Sequence, residues 1–500
     1  MITGNGVPAE VKSFELTTGI DTFTGGDAGD TFAGDNSVNT KTSASDTIDG
    51  GAGVDTFKLY SRGGAAYQVI PTLSNVEKLE IHDADVAFDA SGVTGLTHLD
   101  IFRGEGDDTY TVTDGVSVSI NNQVVGTGAD NAKTTIAFTA TQTSANITFD
   151  KVTAKGTDAN EDVALTGAKI ATVNATASGT KSEFDAFDVA AATAVNLTAN
   201  VAFKAPIETT GTKGTITVTG AGKATLDAIA TGFTTLNAGG NSGGLVAQIG
   251  SGNDLVLTGS TGNDTITANI TDALTSSHKL AVNAGAGTDT LVILEDGDVN
   301  TAADAARYTG FEKVVLSETQ NLDTLSDDIT AVQLDAATSG IFTGLSATQA
   351  ANVTIAEDQS SAVTISGRST NGSSDVLTLD LKHDTATTHV AVASGTFSGW
   401  ETININAATG TDGSTDSSVV FGAAADTTAI NLTGTHDFTA TLTSTSSDGV
   451  AFTSTSTGDV AVTGNVAKTS TITTGSGGDA VTMSTVTGST YNTGAGNDTI

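Results

Sequence analysis

Aspartate returns behind glycine at a fixed step near the start of the chain. Asp21 and Asp30 lie nine residues apart, and Asp46 and Asp55 repeat the step. The surrounding residues fall into one frame. Gly19 and Asp21 precede Phe23; Gly25, Gly26 and Asp30 precede Phe32; Asp46 precedes Ile48; Gly50, Gly51, Gly53 and Asp55 precede Phe57. The last set completes G-G-x-G-x-D-x-U-x, with U apolar. Glycine permits a tight turn and lets main-chain carbonyls converge on one point. Aspartate adds a hard anionic oxygen, the donor type that calcium takes. The apolar eighth residue opens a short strand and turns toward a core, so nine residues supply one turn and one strand of a calcium-binding parallel β-helix.

Weaker copies follow at Gly104, Gly106 and Asp108, at Gly250, Gly252 and Asp254, at Gly262 and Asp264, and at Gly285, Gly287 and Asp289. Two more close the chain, Gly475, Gly477 and Asp479, then Gly494, Gly496 and Asp498. Asp254 and Asp264 are ten residues apart, so one residue must bulge if they stack. Asp479 and Asp498 are nineteen apart, and simple spacing places them on coils that are not adjacent. Glycine–aspartate clusters are also ordinary turns between strands. For an isolated half motif such as Asp108 or Asp479 both readings stand; the in-frame pairs favour metal, because turns alone do not require a nine-residue frame with an apolar eighth position.

A larger repeat positions these turns. Asp55 is followed by "FKL", "NVEKLEI" (75–81) and "GLTHLDI" (95–101); Asp289 by "LVI", "GFEKVVL" (310–316) and "ITAVQLD" (329–335); Asp375 by "LTL", "GWETINI" (399–405) and "TTAINLT" (427–433). Alternating apolar strands at intervals of roughly twenty residues predict solenoid coils. Val76-Glu77, Phe311-Glu312 and Trp400-Glu401 occupy matching places. The first member of each pair is expected to pack at a corner, with the glutamate exposed and structural. Short helices fit residues 301–308 and 346–352. The segments are then 1–114, with the first metal turns and first module; 115–248, metal-poor solenoid or sandwich strands; 249–340, a second metal-turn module; 341–474, a third β module; and 475–500, the start of a further metal-turn segment that stops incomplete.

Composition narrows the function classes. The 500 residues carry a formal net charge of −37, with 57 acidic against 20 basic side chains, so nucleic-acid phosphate would be repelled. Self-repulsion at this charge calls for cations among the carboxylates. Cysteine is absent, which leaves neither disulfides nor thiolate sites. No apolar run reaches membrane-spanning length, and the first residues lack the apolar stretch of a cleavable signal, so an export signal is expected elsewhere. H-E-x-x-H, G-x-S-x-G, P-loop and dinucleotide motifs are missing, and the six histidines do not cluster in sequence. Paired carboxylates such as Asp107 and Asp108 are what so acidic a chain produces, and its lysines and arginines form no dense cluster. No catalytic residue is nominated.

"TTGIDTFTGGDAGDTFAG", "DTIDGGAGVDTF", "GFEKVVL" and "GWETINI", with abundant Thr, Ala and Gly, resemble the calcium-binding crystalline domain of surface-layer proteins from Gram-negative bacteria. The nine-residue motif is shared with the wider RTX group of toxins, proteases and adhesins. The resemblance implies an all-β, elongated, calcium-stabilised β-solenoid (parallel β-helix) that binds several Ca2+ ions and self-associates into a two-dimensional lattice outside the cell. It also implies type I secretion through a C-terminal signal, and a separate anchor to lipopolysaccharide or another cell-surface glycan. The chain is expected to be a fragment of a longer protein, or to be completed by a neighbour, since the repeat runs to Ile500. The alternatives are an adhesin or biofilm-matrix protein of the same group and, behind it, a β-helix enzyme acting on polysaccharide.

Overall fold

The computed structural model describes residues 9–500 except 62–63, 65–67, 85–86, 105–107, 126–132, 140, 155–161, 251, 253, 271–278, 296–298, 300, 336–339, 369–371, 373, 383–388, 408–415, 423–425, 444–448, 467 and 485. The chain forms two compact units, Met1–Gln248 with Gly252–Asn263, and Ile249–Ser251 with Asp264–Ile500. Both are built from parallel strands in stacked coils, a β-solenoid with almost no helix.

In the first unit, alternation of apolar and polar residues gives each strand one inward and one outward face. Phe32, Phe57, Leu79, Leu99, Val118 and Ile147 pair in register from coil to coil as one inward row, each no more than 2% exposed. Burying a side chain of this size stabilises by about 1.5–3 kcal/mol, so the row is the spine of the unit. The first coils have two faces. Thr31–Asp35 pairs with Thr56–Tyr60, whereas Thr22–Gly26 pairs with Thr47–Gly51. Consecutive nine-residue units therefore lie on different sheets, and alternate ones stack. From Phe88–Asp89 and Val124–Val125 onward the coil gains a third face. The stretch 115–248 continues as parallel solenoid: Ser117–Asn121, Ser144–Asp150, Thr172–Ala177, Ala194–Ala199 and Gly214–Gly220 pair in succession.

In the second unit, the expected triplets are consecutive partners. Thr290–Ile293, Lys313–Leu316 and Ala331–Leu334 form one succession, and Val376–Leu381, Thr402–Ala407 and Ala429–Gly434 another. Phe311 and Trp400 are buried at their corners, and the Trp400 indole N–H donates to the Ile365 carbonyl at 3.1 Å. Among the described residues, helices are Ala302–Ala305 and Ala347–Ala350, within the two expected segments, plus the 3₁₀ turn Leu322–Thr324. Ser346 and Gln349 close a capping box on Ala347–Ala350, a reason for the helix to start there. Among the described residues no helix is long and apolar enough to cross a membrane.

The glycine turns stack so closely that a methyl group has no room. A Cβ on Gly50 would lie 1.9 Å from the Asn75 carbonyl oxygen, whereas one on Gly92 would meet nothing within 4 Å. Gly50→Ala should cost about 2 kcal/mol or more, and Gly92→Ala should be neutral or stabilising by up to about 1 kcal/mol. Urea unfolding of the two variants checks this; equal midpoints would mean that these turns do not pack on one another.

Candidate metal centre

The turn of Gly25–Asp30 lies against that of Gly50–Asp55. A Cβ on Gly25 would sit 1.9 Å from the Gly50 carbonyl oxygen, and Gly51 and Gly53 adopt φ of +93° and +127°. Side chains are thereby kept out, and carbonyls of one turn face the next. The Ala52 N–H donates to the Gly26 carbonyl at 2.8 Å. The aspartates bind across the same step. Asp55 Oδ1 accepts the Asp30 N–H at 2.6 Å, and the Thr56 N–H donates to the Asp30 carbonyl at 2.9 Å. Asp30 accepts the Lys12 and Gly26 N–H groups, each at 2.6 Å. Asp46 Oδ1 accepts the Asp21 N–H at 3.0 Å on the other face, and Asp21 in turn accepts the Thr17 N–H at 2.7 Å beside Gly19. Asp30, Asp46 and Asp55 thus each fasten their own coil to the one before it.

The second unit repeats this device. Asp289 Oδ1 accepts the Asp264 N–H at 2.7 Å, behind Gly285 and Gly287, whose φ values are +101° and +147°. Asp479 and Asp498 correct the expectation from spacing: they are on adjacent coils. Asp498 Oδ1 accepts the Asp479 N–H at 3.0 Å, and the Thr499 N–H donates to the Asp479 carbonyl at 2.9 Å. Gly494 stacks on Gly475 and Gly496 on Gly477. Here the coil has shortened until nineteen residues make one full turn. The preceding coil contributes Asp459, which accepts the Gly478 N–H at 2.6 Å. Asp459 bonds in the opposite sense, forward to the next coil, while the Val460 N–H makes the usual backward bond to Asp479 Oδ1 at 2.8 Å; one glycine in "STGDV" hides this step, and its signal is "GDVAV" twenty residues before "GDAV".

Other candidates are placed differently. Asp254 is exposed before Val256–Thr258, which pairs with Phe233–Asn241, and Asp264 is buried before Thr265–Asn269, which pairs with Thr290–Ile293. The two therefore do not stack, and no bulge between them is required. Gly250 ends the strand Leu245–Gly250, and Gly252 has φ +85° with open space around it. Gly262 packs against the Ser242 carbonyl. Asp108 is buried and its carbonyl accepts the Thr135 N–H at 2.8 Å, while Gly104 leaves room for the Tyr110 hydroxyl. Gly106 lies outside the described residues. Glu77, Glu312 and Glu401 are half-buried rather than exposed: they accept the N–H groups of Asp55, Asp289 and Asp375 at 2.9, 2.7 and 2.6 Å.

These ladders carry negative charge into the protein. Asp55 and Asp289 are fully buried and Asp479 nearly so, and the Oδ2 atom of each has no hydrogen-bond partner. Burial, followed by the neighbouring acids Asp264 and Glu312, pushes the Asp289 carboxyl up to about 6; burial chiefly, with Glu77, Asp30 and Asp49, also raises Asp55. Gly50 keeps the space beside one of these oxygens open, since its Cβ would lie 2.7 Å from Asp55 Oδ2. An orphaned anionic oxygen in a glycine cradle fits a hard cation. Among the described residues no three His, Cys, Asp or Glu side chains gather as a metal cluster. An ion at Asp55, Asp289 or Asp479 would therefore rely on carboxylate oxygen and turn carbonyls, a donor set suited to calcium and not to zinc or copper.

The fold also assembles a charged cluster that the sequence order hides. Lys58, Glu80, Asp100 and Ser119 are successive outward partners on four adjacent strands. Glu80 and Asp100 are 8% and 5% exposed. Lys58 and Lys78 bind Glu80 at 3.1 and 3.3 Å, Lys78 binds Asp100 at 2.7 Å, and His98 binds Asp100 at 3.0 Å. The His82 imidazole, 3.5 Å from Glu80, stacks between Tyr60 and Phe102 with ring centroids 4.5 Å apart on either side. His82 first, then the two lysines, pull the Glu80 carboxyl down to about 2 against its burial. At 3.5 Å the His82 contact is long for a strong hydrogen bond, so the lysines are the firmer partners. Burial opposes ionisation of Asp100, but His98 and Lys78 outweigh it and hold its carboxyl below the usual range. With Glu80 ionised to about pH 2, it offers no proton near neutrality, and the cluster ties strands together.

No family model matches the chain, and no curated protein matches it.

Glu80 sets an acid limit. Its folded value near 2 lies below the ordinary 4.5, so its stabilisation is complete above about pH 4.5 and is lost as pH falls through 2. Glu80→Gln should lower stability at pH 7 by about 1–3 kcal/mol and flatten the acid limb of the stability–pH curve. Parallel limbs for both proteins would show that the acid sensitivity lies elsewhere.

Proposed function

We propose that this chain is a structural, non-enzymatic, calcium-dependent protein of the extracellular cell surface, which self-assembles as a surface-layer lattice. The observation that carries the reading is the set of buried, donorless carboxylate oxygens of Asp55, Asp289 and Asp479 in stacked glycine turns. An ion there converts mutual repulsion into cross-linking between coils. Sites of the extracellular type, with Kd of roughly 10⁻⁴–10⁻³ M, would leave such a chain unfolded in calcium-poor cytosol and fold it on arrival outside. Secretion by a type I route and anchoring to lipopolysaccharide or another glycan belong to the same proposal and rest on the family resemblance.

Self-association is supported by the distribution of charge. In a chain of net charge −37, the outward rows Ser144–Thr172–Ala194–Thr215, Asn146–Asn174–Asn196–Thr217 and Thr148–Thr176–Thr198–Thr219 carry no charged side chain. Asn174 donates to Asn146 at 2.8 Å and Asn196 to Asn174 at 2.9 Å, so the face is an ordered amide ladder. A second copy can approach it without the repulsion that the rest of so acidic a chain imposes.

Calcium added to chelated protein, followed by far-UV circular dichroism and light scattering together, tests the reading. Acquisition of β structure with large particles that EDTA disperses is the expected outcome. Folding without growth would favour an adhesin or matrix spacer, and a fold indifferent to calcium would overturn the metal assignment.

A further inference from the structure

Three coils follow a glycine–aspartate turn with the same apolar–glutamate pair. Val76, Phe311 and Trp400 are at most 2% exposed and pin the corner. The glutamate that follows each of them reaches back one coil and accepts the N–H of Asp55, Asp289 or Asp375 through Oε2. The N–H groups of Asp30 and Asp264 donate the equivalent bond to the shorter side chain of an aspartate, Asp55 or Asp289, in a glycine-containing turn. The glutamate therefore stands where the next aspartate rung would be, on a coil that lacks the glycine–aspartate motif.

A neutral amide would serve equally well if the task were only to accept that N–H. The metal-poor stretch uses one at a comparable corner: Asn241 is 1% exposed, accepts the Gly243 N–H at 3.0 Å, and donates to the carbonyls of Gly220 and Gly222 at 3.1 and 2.9 Å. That turn needs no ion, because an N–H₂ group occupies the place between the carbonyls. At Asp55 and Asp289 the partner is instead a second carboxylate beside a buried one whose Oδ2 has no donor. Two like charges in one partly dry site raise each other's energy unless a cation lies between them.

We propose that Glu77 and Glu312 are calcium ligands that close the last metal position of their ladders, each acting with Oδ2 of the aspartate below it, Asp55 or Asp289. The inference rests on the calcium reading and extends the site beyond the nine-residue motif.

Glu312→Gln in the full chain separates charge from hydrogen bonding, because the glutamine carbonyl still accepts the Asp289 N–H. Calcium bound per chain is measured by equilibrium dialysis, and Tm is measured in EGTA and in saturating calcium. The variant should hold one calcium fewer, or bind one at least tenfold more weakly. Its Tm should match or exceed the parent's in EGTA and fall below it in calcium. Glu77→Gln tests the other ladder in the same way and stands in if Glu312→Gln does not fold. Unchanged stoichiometry and affinity in both variants would reduce the glutamates to hydrogen-bond acceptors and overturn the proposal while leaving calcium binding intact. A parent chain that takes up no calcium would overturn both readings.

Discussion

The structure depends on a carboxylate accepting a main-chain N–H from the coil beside it. In Asp30–Asp55–Glu77 and Asp264–Asp289–Glu312 this bond recurs at successive coils, and each recurrence brings another negative charge into a partly dry environment. A charge-assisted bond to a buried N–H is stronger than a neutral one. At Asp55 and Asp289 it is a single donor for a group with two oxygens, and Oδ2 has no hydrogen-bond partner. Glycine is then required at the turn, since any side chain at Gly25 or Gly50 would fill the space and press on a carbonyl. The composition follows from the same demand: many glycines, an excess of acid, and small β-branched residues along thin strands.

Much of this coil is legible in the amino-acid order because its information is local. The nine-residue frame, the apolar eighth residues Phe32, Ile48 and Phe57, and the three-strand successions after Asp55, Asp289 and Asp375 are each contained in short stretches. What is illegible lies across coils. Lys58, Glu80 and Asp100 are separated by about twenty residues and meet only because strand register aligns them. The adjacency of Asp479 and Asp498 depends on how many residues complete a turn, and that number differs between coils. The glutamates following Val76, Phe311 and Trp400 are visible as a pattern, but their reach back to an aspartate N–H is a property of three-dimensional stacking.

Two ways of treating charge coexist on the outside of the first unit. Around Glu80 and Asp100, opposite charges are matched within the fold, with lysine stems and aromatic rings covering the carboxylates. Between Ser144 and Thr219 the outward rows avoid charge altogether and satisfy their amides along the ladder. The buried aspartate rungs follow neither rule. At Asp55, Asp289 and Asp479 one oxygen of each is neither hydrogen-bonded nor replaced by a neutral group.

The varying coil length has a consequence for heredity. Successive acidic rungs are 25 residues apart at Asp30 and Asp55 but 19 apart at Asp479 and Asp498, yet the bond between them is the same. The bond constrains the turn and leaves the path around the coil free. A gene encoding such a coil can gain or lose codons between rungs without disturbing the contact that holds neighbours together. Replication slippage and duplication, which would shift the register of most folds, here add or trim material at corners. Descent should then be preserved in the order of rungs more durably than in the distances between them.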